Sequence, residues 1–318
     1  MVVLANLSIL KIPKMLHLSH TDFVVATAAQ AAPVASQGRH GAQEFKIEHV
    51  TLAHGLDMAY RRAGHGPVPV VLVHGYSLSS AEWTKVLPLL RADRYTAYAV
   101  DLRGFGDSGK PEDGNDIAHL VADLAEFMDA MHLGRAVMIG HSMGGSLLQD
   151  LVLAHPERVS ALVLSDAFAR NEPPLGINDG VRKRIEGYGG IEANRRVFEA
   201  AIPHYFDAAN LTPADAQAFI SEALKASEPA LKGLLSEEYT IPPIPIERYR
   251  EITAPTLIVV GAHDAFVPLK QVMALTDAIP GVRLTAIIPR AGHTPMWEQP
   301  QLWAEAVQDF LEAVLPGQ

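Results

Sequence analysis

Residues 135–145 read Arg-Ala-Val-Met-Ile-Gly-His-Ser-Met-Gly-Gly, and this stretch decides the fold. Its first half, through Ile139, is a short apolar run of strand character that leads straight into Gly140-His141-Ser142-Met143-Gly144. Beyond the turn, Leu147, Leu148, Leu151 and Val152 recur at the spacing of an amphipathic helix. Strand, tight turn and helix form the setting in which G-x-S-x-G presents a serine hydroxyl at the top of a sheet. Glycines at 140 and 144 let neighbouring backbone approach a strained turn. The helix start offers unpaired N–H groups and a positive dipole end. The pentapeptide alone also suits a strand–helix joint whose small residues serve packing, so a chemical role for Ser142 requires partners.

Outward from this stretch, Phe45 to Leu52 and Leu56 to Arg62 alternate in strand fashion around His54-Gly55. Val68 to Val73, Thr96 to Asp101, Val159 to Ser165, Thr256 to Gly261 and Arg283 to Ile288 are short apolar runs with β-branched residues, as in strands covered on both faces. Helical patterns separate most of them. Ile117, Leu120, Val121, Leu124, Met128 and Met131 share one face behind Asp116 as N-cap, and Leu302, Trp303, Ala306, Val307, Phe310, Leu311 and Val314 share another. The expectation is an α/β protein with an eight-stranded, mostly parallel sheet flanked by helices, with its chemistry at the C-terminal strand ends. One interval breaks the rhythm. About ninety residues separate Ser165 from Thr256, far more than a normal crossover. Prolines from Pro173 to Pro245 punctuate them, with aromatics at Tyr188, Phe198, Tyr205, Phe206, Phe219 and Tyr239. This predicts a helical cap over 169–250, inserted after the sixth strand, with the core in 42–168 and 251–318.

A serine hydroxyl needs a base, and the base needs an orienting group. Asp264 falls on the loop after Thr256 to Gly261, and His293 on the loop after Arg283 to Ile288. Ser142, Asp264 and His293 therefore meet at one sheet edge, in that chain order. Asp264 could instead cap a helix, and one of 14 histidines will reach a loop by chance; the coincidence of all three carries the expectation. Asp166, just past another strand, is the alternative acid. A tetrahedral intermediate also needs oxyanion donors. The backbone N–H groups of Tyr76, in His74-Gly75-Tyr76-Ser77, and of Met143 are the candidates, with the Tyr76 side chain expected to line a pocket. Trp83, Phe105, Phe168 and Trp297 are wall candidates, with core packing as the competing role.

Taken together, His74-Gly75, Asp101-Leu102-Arg103-Gly104-Phe105-Gly106-Asp107-Ser108, Gly140 to Gly145, Asp264 within Gly261 to Pro268, and Gly292-His293 resemble the α/β-hydrolase superfamily, in its lid-bearing, esterase-like members. The resemblance spans roughly residues 68–300. It implies Ser142 as nucleophile, His293 as base, Asp264 as its orienting acid, and an oxyanion hole at Tyr76 and Met143. Ser77 departs from the proline that many relatives carry there. Relatives that open epoxides or remove halides have aspartate where this chain has Ser142, which disfavours those activities.

Composition sets the remaining bounds. Twenty-six Lys and Arg against 36 Asp and Glu give a net charge of −10, leaving no basic field for nucleic acid. Absence of cysteine removes disulfides, thiolate catalysis and Cys-ligated metal. No metal-ligand spacing occurs, and no cofactor is expected. Gly104-Phe105-Gly106-Asp107-Ser108-Gly109 fits a dinucleotide fingerprint, but loop residues follow it where a helix should start. No apolar run of about 18 residues is present, so no integral membrane segment is expected. Residues 1–41 mix Lys11, Lys14, Asp22 and Arg39 with an Ala- and Val-rich run. They read as a disordered or wrongly extended start or as an export segment. Cytoplasmic residence is the expectation, with secretion or a periplasmic location following if residues 1–36 act as a signal. The functional expectation is hydrolysis of a small, mostly apolar carboxylic ester or lactone through an acyl-enzyme. The same triad used on C–C or amide bonds or for perhydrolysis, and a non-enzymatic receptor on this scaffold, are the alternatives.

Overall fold

A computed structural model describes residues 45–170, 179–238 and 240–317. The segment 1–41, Pro173, Pro174 and Tyr239 lie outside these residues. The described strands are β1 (Ile47–Thr51), β2 (Asp57–Gly64), β3 (Val68–Val73), β4 (Tyr95–Val100), β5 (Ala136–His141), β6 (Val159–Ser165), β7 (Thr256–Gly261) and β8 (Val282–Ile288). They form one eight-stranded sheet in the order β1-β2-β4-β3-β5-β6-β7-β8. β2 runs antiparallel to both β1 and β4, and every pairing from β4 through β8 is parallel. Each strand lies within two residues of the run expected from the sequence.

Alternation along the strands explains the continuous apolar runs. Val70, Leu72, Val137, Ile139, Val163, Leu257 and Val259 point to one face, where they pack with Trp83, Trp303, Val307 and Phe310. Val71, Val73, Met138, Leu162, Leu164 and Ile258 point to the other, against Leu120, Leu124, Leu147 and Leu151. A strand with helices on both sides has no solvent face, so both parities must be apolar. The helices are α1 (Ile117–Ala130) and α2 (Met143–Ala154) on the second face, then α8 (Leu269–Ala278), α9 (Pro295–Glu298) and α10 (Pro300–Val314) after the insertion. Asp116 caps α1 as expected, its side chain accepting from the His119 N–H at 2.9 Å.

Between β6 and β7 the described chain forms α3 (Asp179–Gly187), α4 (Ile191–Tyr205), α5 (Pro213–Ala223), α6 (Glu228–Glu238) and α7 (Ile246–Tyr249). Phe198, Phe219, Leu231, Leu235 and Tyr249 from this interval join the same buried cluster as α1 and α2. Polar ties accompany the packing. Tyr76 Oη donates to the Leu231 carbonyl at 2.6 Å, Ser79 Oγ to Glu222 at 2.7 Å, and the His293 N–H to the Tyr205 carbonyl at 2.8 Å. The insertion thus reaches residues that follow β3 and β8, at the C-terminal end of the sheet. Among the described residues, no helix is long and apolar enough to cross a membrane.

Candidate active site

Ser142 sits between the last residue of β5 and the first of α2, at φ 50 and ψ −118. A non-glycine residue held there stores on the order of 1–3 kcal/mol of strain, so the surroundings must enforce it. A Cβ on Gly140 would come within 2.6 Å of the Gly144 carbonyl, and one on Gly144 within 2.4 Å of the Val73 carbonyl. Neither position tolerates a side chain, so β5, the turn and α2 pack at backbone distance against β3. The Ser142 N–H is fixed by the Ser165 carbonyl of β6 at 2.9 Å.

The three residues that the sequence places on neighbouring strand ends come together. Ser142 Oγ lies 2.9 Å from His293 Nε2, and His293 Nδ1 lies 2.9 Å from Asp264 Oδ2. Asp264 is itself held by its loop, its Oδ1 accepting the N–H groups of Phe266 (2.7 Å) and Val267 (3.0 Å). Burial pushes the Asp264 carboxyl up, but the hydrogen bond and charge of His293 and these two amides outweigh it, and it stays below the usual carboxylate range. For His293 burial dominates; it lowers the imidazole below its ordinary value although Asp264 pulls the other way. A neutral imidazole with its proton on Nδ1 can take a proton from the hydroxyl at Nε2, and Asp264 stabilises the resulting charge.

Asp166 is adjacent, and its environment differs. It is fully buried at φ 48, its Oδ1 accepting the Gly261 N–H at 2.8 Å and its Oδ2 the Ser165 hydroxyl at 2.9 Å. Burial first, and then the Asp264 charge, raise its carboxyl well above the usual range, which favours its neutral form beside Asp264. Ligand atoms of Asp166, Asp264 and His293 lie within 4.8 Å of one another, a spacing that could suit a cation. Both His293 nitrogens are already committed, to Asp264 and to Ser142.

Met143 opens α2, so its N–H is among the first-turn donors that lack an intrahelical acceptor. Tyr76 follows Gly75, whose built Cβ would stand 3.4 Å from the Ser142 Cβ. The Tyr76 ring is buried edge-on against Phe105, with its hydroxyl spent on Leu231. Of the wall candidates, Phe168 stands beside His293, ring centres 6.4 Å apart. Trp83 packs on Trp303 on one face of the sheet, Phe105 on His74, and Trp297 on Phe206; these three are packing residues. Tyr205 and Phe266, at 5.5 and 4.8 Å from the His293 ring, complete the aromatic surround. The Gly104–Gly109 pattern is a turn organised by Asp101, whose Oδ2 accepts the Asp107 N–H at 2.8 Å and fills the space a Gly106 side chain would need. α1 starts only at Ile117.

Sequence reading passed over Glu82 and His141. In the 3-10 turn Ser80–Trp83, Glu82 is buried, with Oε1 2.5 Å from His141 Nδ1. Its acidic side chain in Ser79-Ser80-Ala81-Glu82-Trp83 carries no periodic signal; the adjoining Trp83, a strong core anchor, was the available hint.

A model of the alpha/beta hydrolase family matches residues 70–306. The chain belongs to the alpha/beta hydrolase family. Among its relatives in that family, the 2-hydroxy-6-oxo-6-(2'-aminophenyl)hexa-2,4-dienoic acid hydrolase of Metapseudomonas resinovorans is 30% identical over 83% of this chain and 91% of its own. The pimeloyl-[acyl-carrier protein] methyl ester esterase of Aeromonas hydrophila is 30% identical over 80% of this chain and 100% of its own. A thermophilic esterase from Thermogutta terrifontis, 26% identical, superposes with a TM-score of 0.74 over 85% of this chain and 99% of that one. Such a chain in the alpha/beta hydrolase family is an enzyme of the hydrolase class.

Proposed function

We propose that this hydrolase cleaves a small, mostly apolar carboxylic ester or lactone through an acyl-enzyme on Ser142. The observation that carries the reading is the unbroken hydrogen-bonded series Ser142–His293–Asp264, with 2.9 Å at each link, under a serine forced to positive φ. His293 takes the Ser142 proton as Oγ attacks the carbonyl, then delivers it to the leaving alcohol. It next activates water for deacylation. The N–H groups of Met143 and Tyr76 receive the oxyanion; the helix start at Met143 and the closeness of Gly75 to Ser142 support that assignment. Phe168, Tyr205 and Phe266 around His293 favour an apolar acyl or alcohol group. Helices α3 to α7, docked on the strand ends, act as the cap that bounds the pocket.

A second reading, the same triad acting on a carbon–carbon bond next to a ketone, has the oxo-hexadienoic acid hydrolase of Metapseudomonas in its favour. A substrate panel of esters and lactones of varied acyl length, with a vinylogous 1,5-diketone, separates the two. On a short p-nitrophenyl ester, Ser142→Ala is expected to lower kcat by on the order of 10⁵ and to abolish labelling by an active-site serine probe. Robust turnover by that variant would remove the mechanism.

A further inference from the structure

His141, the residue before the serine, is fully buried and faces an acceptor at each ring nitrogen. Nδ1 meets Glu82 Oε1 at 2.5 Å, and Nε2 meets the His293 carbonyl oxygen at 2.7 Å. A neutral ring can donate from only one nitrogen, so a ring that lies at ion-pair distance from a carboxylate at Nδ1 and at hydrogen-bond distance from a carbonyl at Nε2 is served best as the doubly protonated cation. The other Glu82 oxygen accepts the Gly75 N–H at 3.1 Å. One buried pair therefore touches the turn after β3, the serine turn and the His293 loop. We infer that Glu82 and His141 are positioning residues: a buried carboxylate–imidazolium pair that ties these three loops together and places a fixed positive charge beside the base.

The reasoning is electrostatic as well as geometric. The His141 and His293 rings lie 4.8 Å apart, with no room for water to screen them. Burial alone would push His141 down, but the charge and hydrogen bond of Glu82, with the His293 carbonyl, hold it above its ordinary value. The resulting cation helps to keep His293 unprotonated, the form that can accept from Ser142. Beyond the pair itself, the titratable groups facing His293 among the described residues are Asp264 and Asp166, from the loops after β7 and β6, and the Tyr205 phenol at the end of α4. Beside the pair stands His74, which burial keeps low; its Nε2 accepts the Leu102 N–H at 3.0 Å. His74 is thus neutral, and the positive charge belongs to His141.

This inference rests on the triad reading, and its test is separable from that one. In the full-length protein labelled with ¹⁵N-histidine, His141 should show both ring nitrogens protonated at pH 8, where an unperturbed imidazole is neutral. His141→Gln removes the cation and leaves Glu82 uncompensated. Both changes favour protonated His293, so the acid limb of kcat/KM should move up by about half a pH unit or more, with kcat falling more than KM changes. Glu82→Gln keeps an acceptor for Gly75 and a donor for His141. It should fold, erase the imidazolium signal and move the limb by less. A neutral His141 at pH 8 in the wild type, or an acid limb unmoved in both variants, would overturn the inference. If Ser142→Ala is inert and the limb stays put, only the ion pair is refuted; if Ser142→Ala turns over, the triad falls first.

Discussion

Two buried aspartates stand beside one imidazole, and what separates them is the set of donors each receives. Asp264 collects two loop amides and the His293 ring, so its charge is stabilised. Asp166 collects one amide and one hydroxyl in a drier place beside a like charge, so its protonated form is favoured. Asp264→Asn should lower kcat/KM by roughly 10³–10⁴, since the neutral amide favours the wrong imidazole tautomer. Asp166→Asn should stay within about tenfold of wild type; a steady-state comparison in which Asp166→Asn is the worse variant would reverse the two roles. The stability sign follows separately. A carboxyl whose folded value is raised costs nothing below its unfolded value near 4 and costs progressively more as pH climbs toward the folded value. Asp166→Asn should therefore gain in Tm relative to wild type as pH rises from about 4 to 8, which calorimetry across that range checks.

At the level of elements, the start of α5 shows how the insertion is fastened. Thr212 caps the helix by accepting the Asp215 N–H at 3.1 Å, and Asp215 reaches back to the Thr212 hydroxyl at 2.6 Å. Its remaining oxygen receives Lys85 Nζ and Trp297 Nε1, each at 2.7 Å, from outside the insertion. Burial alone would raise Asp215, yet these hydrogen bonds and the lysine charge lower it to about 2. Its contribution is present above the ordinary value of 3.8 and is lost as pH falls toward 2. After discounting for the partly exposed Lys85, it is on the order of 1–2 kcal/mol. Urea unfolding of Asp215→Asn should show that deficit at pH 7 and only a small remnant of it at about pH 2. The Thr212 helix start was not singled out from the sequence, although a Thr-Pro-x-Asp start is local to residues 212–215. The partners Lys85 and Trp297 are not legible there, because they lie 130 and 82 positions away and no periodicity encodes them. The same division holds elsewhere. Strands such as Val68–Val73 and Thr256–Gly261 match their apolar runs to the residue, since a two-faced strand must be apolar throughout. Ser142, Asp264 and His293 were legible because strand ends in a parallel sheet share an edge. Glu82 was not, because a buried acid looks like a surface one until its histidine is seen.

For the molecule as a whole, the question is whether sheet and insertion are one cooperative unit or two. The insertion's buried side chains, Phe198, Phe219, Leu231 and Leu235, belong to the cluster that also holds Leu120, Leu147 and Leu164. Detached, α4 to α6 would expose these apolar side chains on one side and uncover strand-end residues such as Tyr76 on the other. At about 25 cal/mol per Å², each few hundred Å² so exposed would remove a large part of the roughly 5–15 kcal/mol that holds a typical domain folded. The His293 N–H bond to Tyr205 and the Tyr76 bond to Leu231 would break with it, so the proposed base and oxyanion loops would loosen as the insertion left. Partial release is therefore expected to be nearly as costly as global unfolding. Native-state hydrogen exchange tests this peptide by peptide. The slowest amides of residues 191–205 and 228–238 should report an opening free energy within about 1 kcal/mol of the slowest amides in 136–141 and 159–165. Activity should disappear at the same urea midpoint as tryptophan fluorescence, all three tryptophans (Trp83, Trp297 and Trp303) lying outside the insertion. An insertion whose slowest amides open several kcal/mol below the strands, with activity lost before fluorescence changes, would make it a separately melting unit hinged on the sheet.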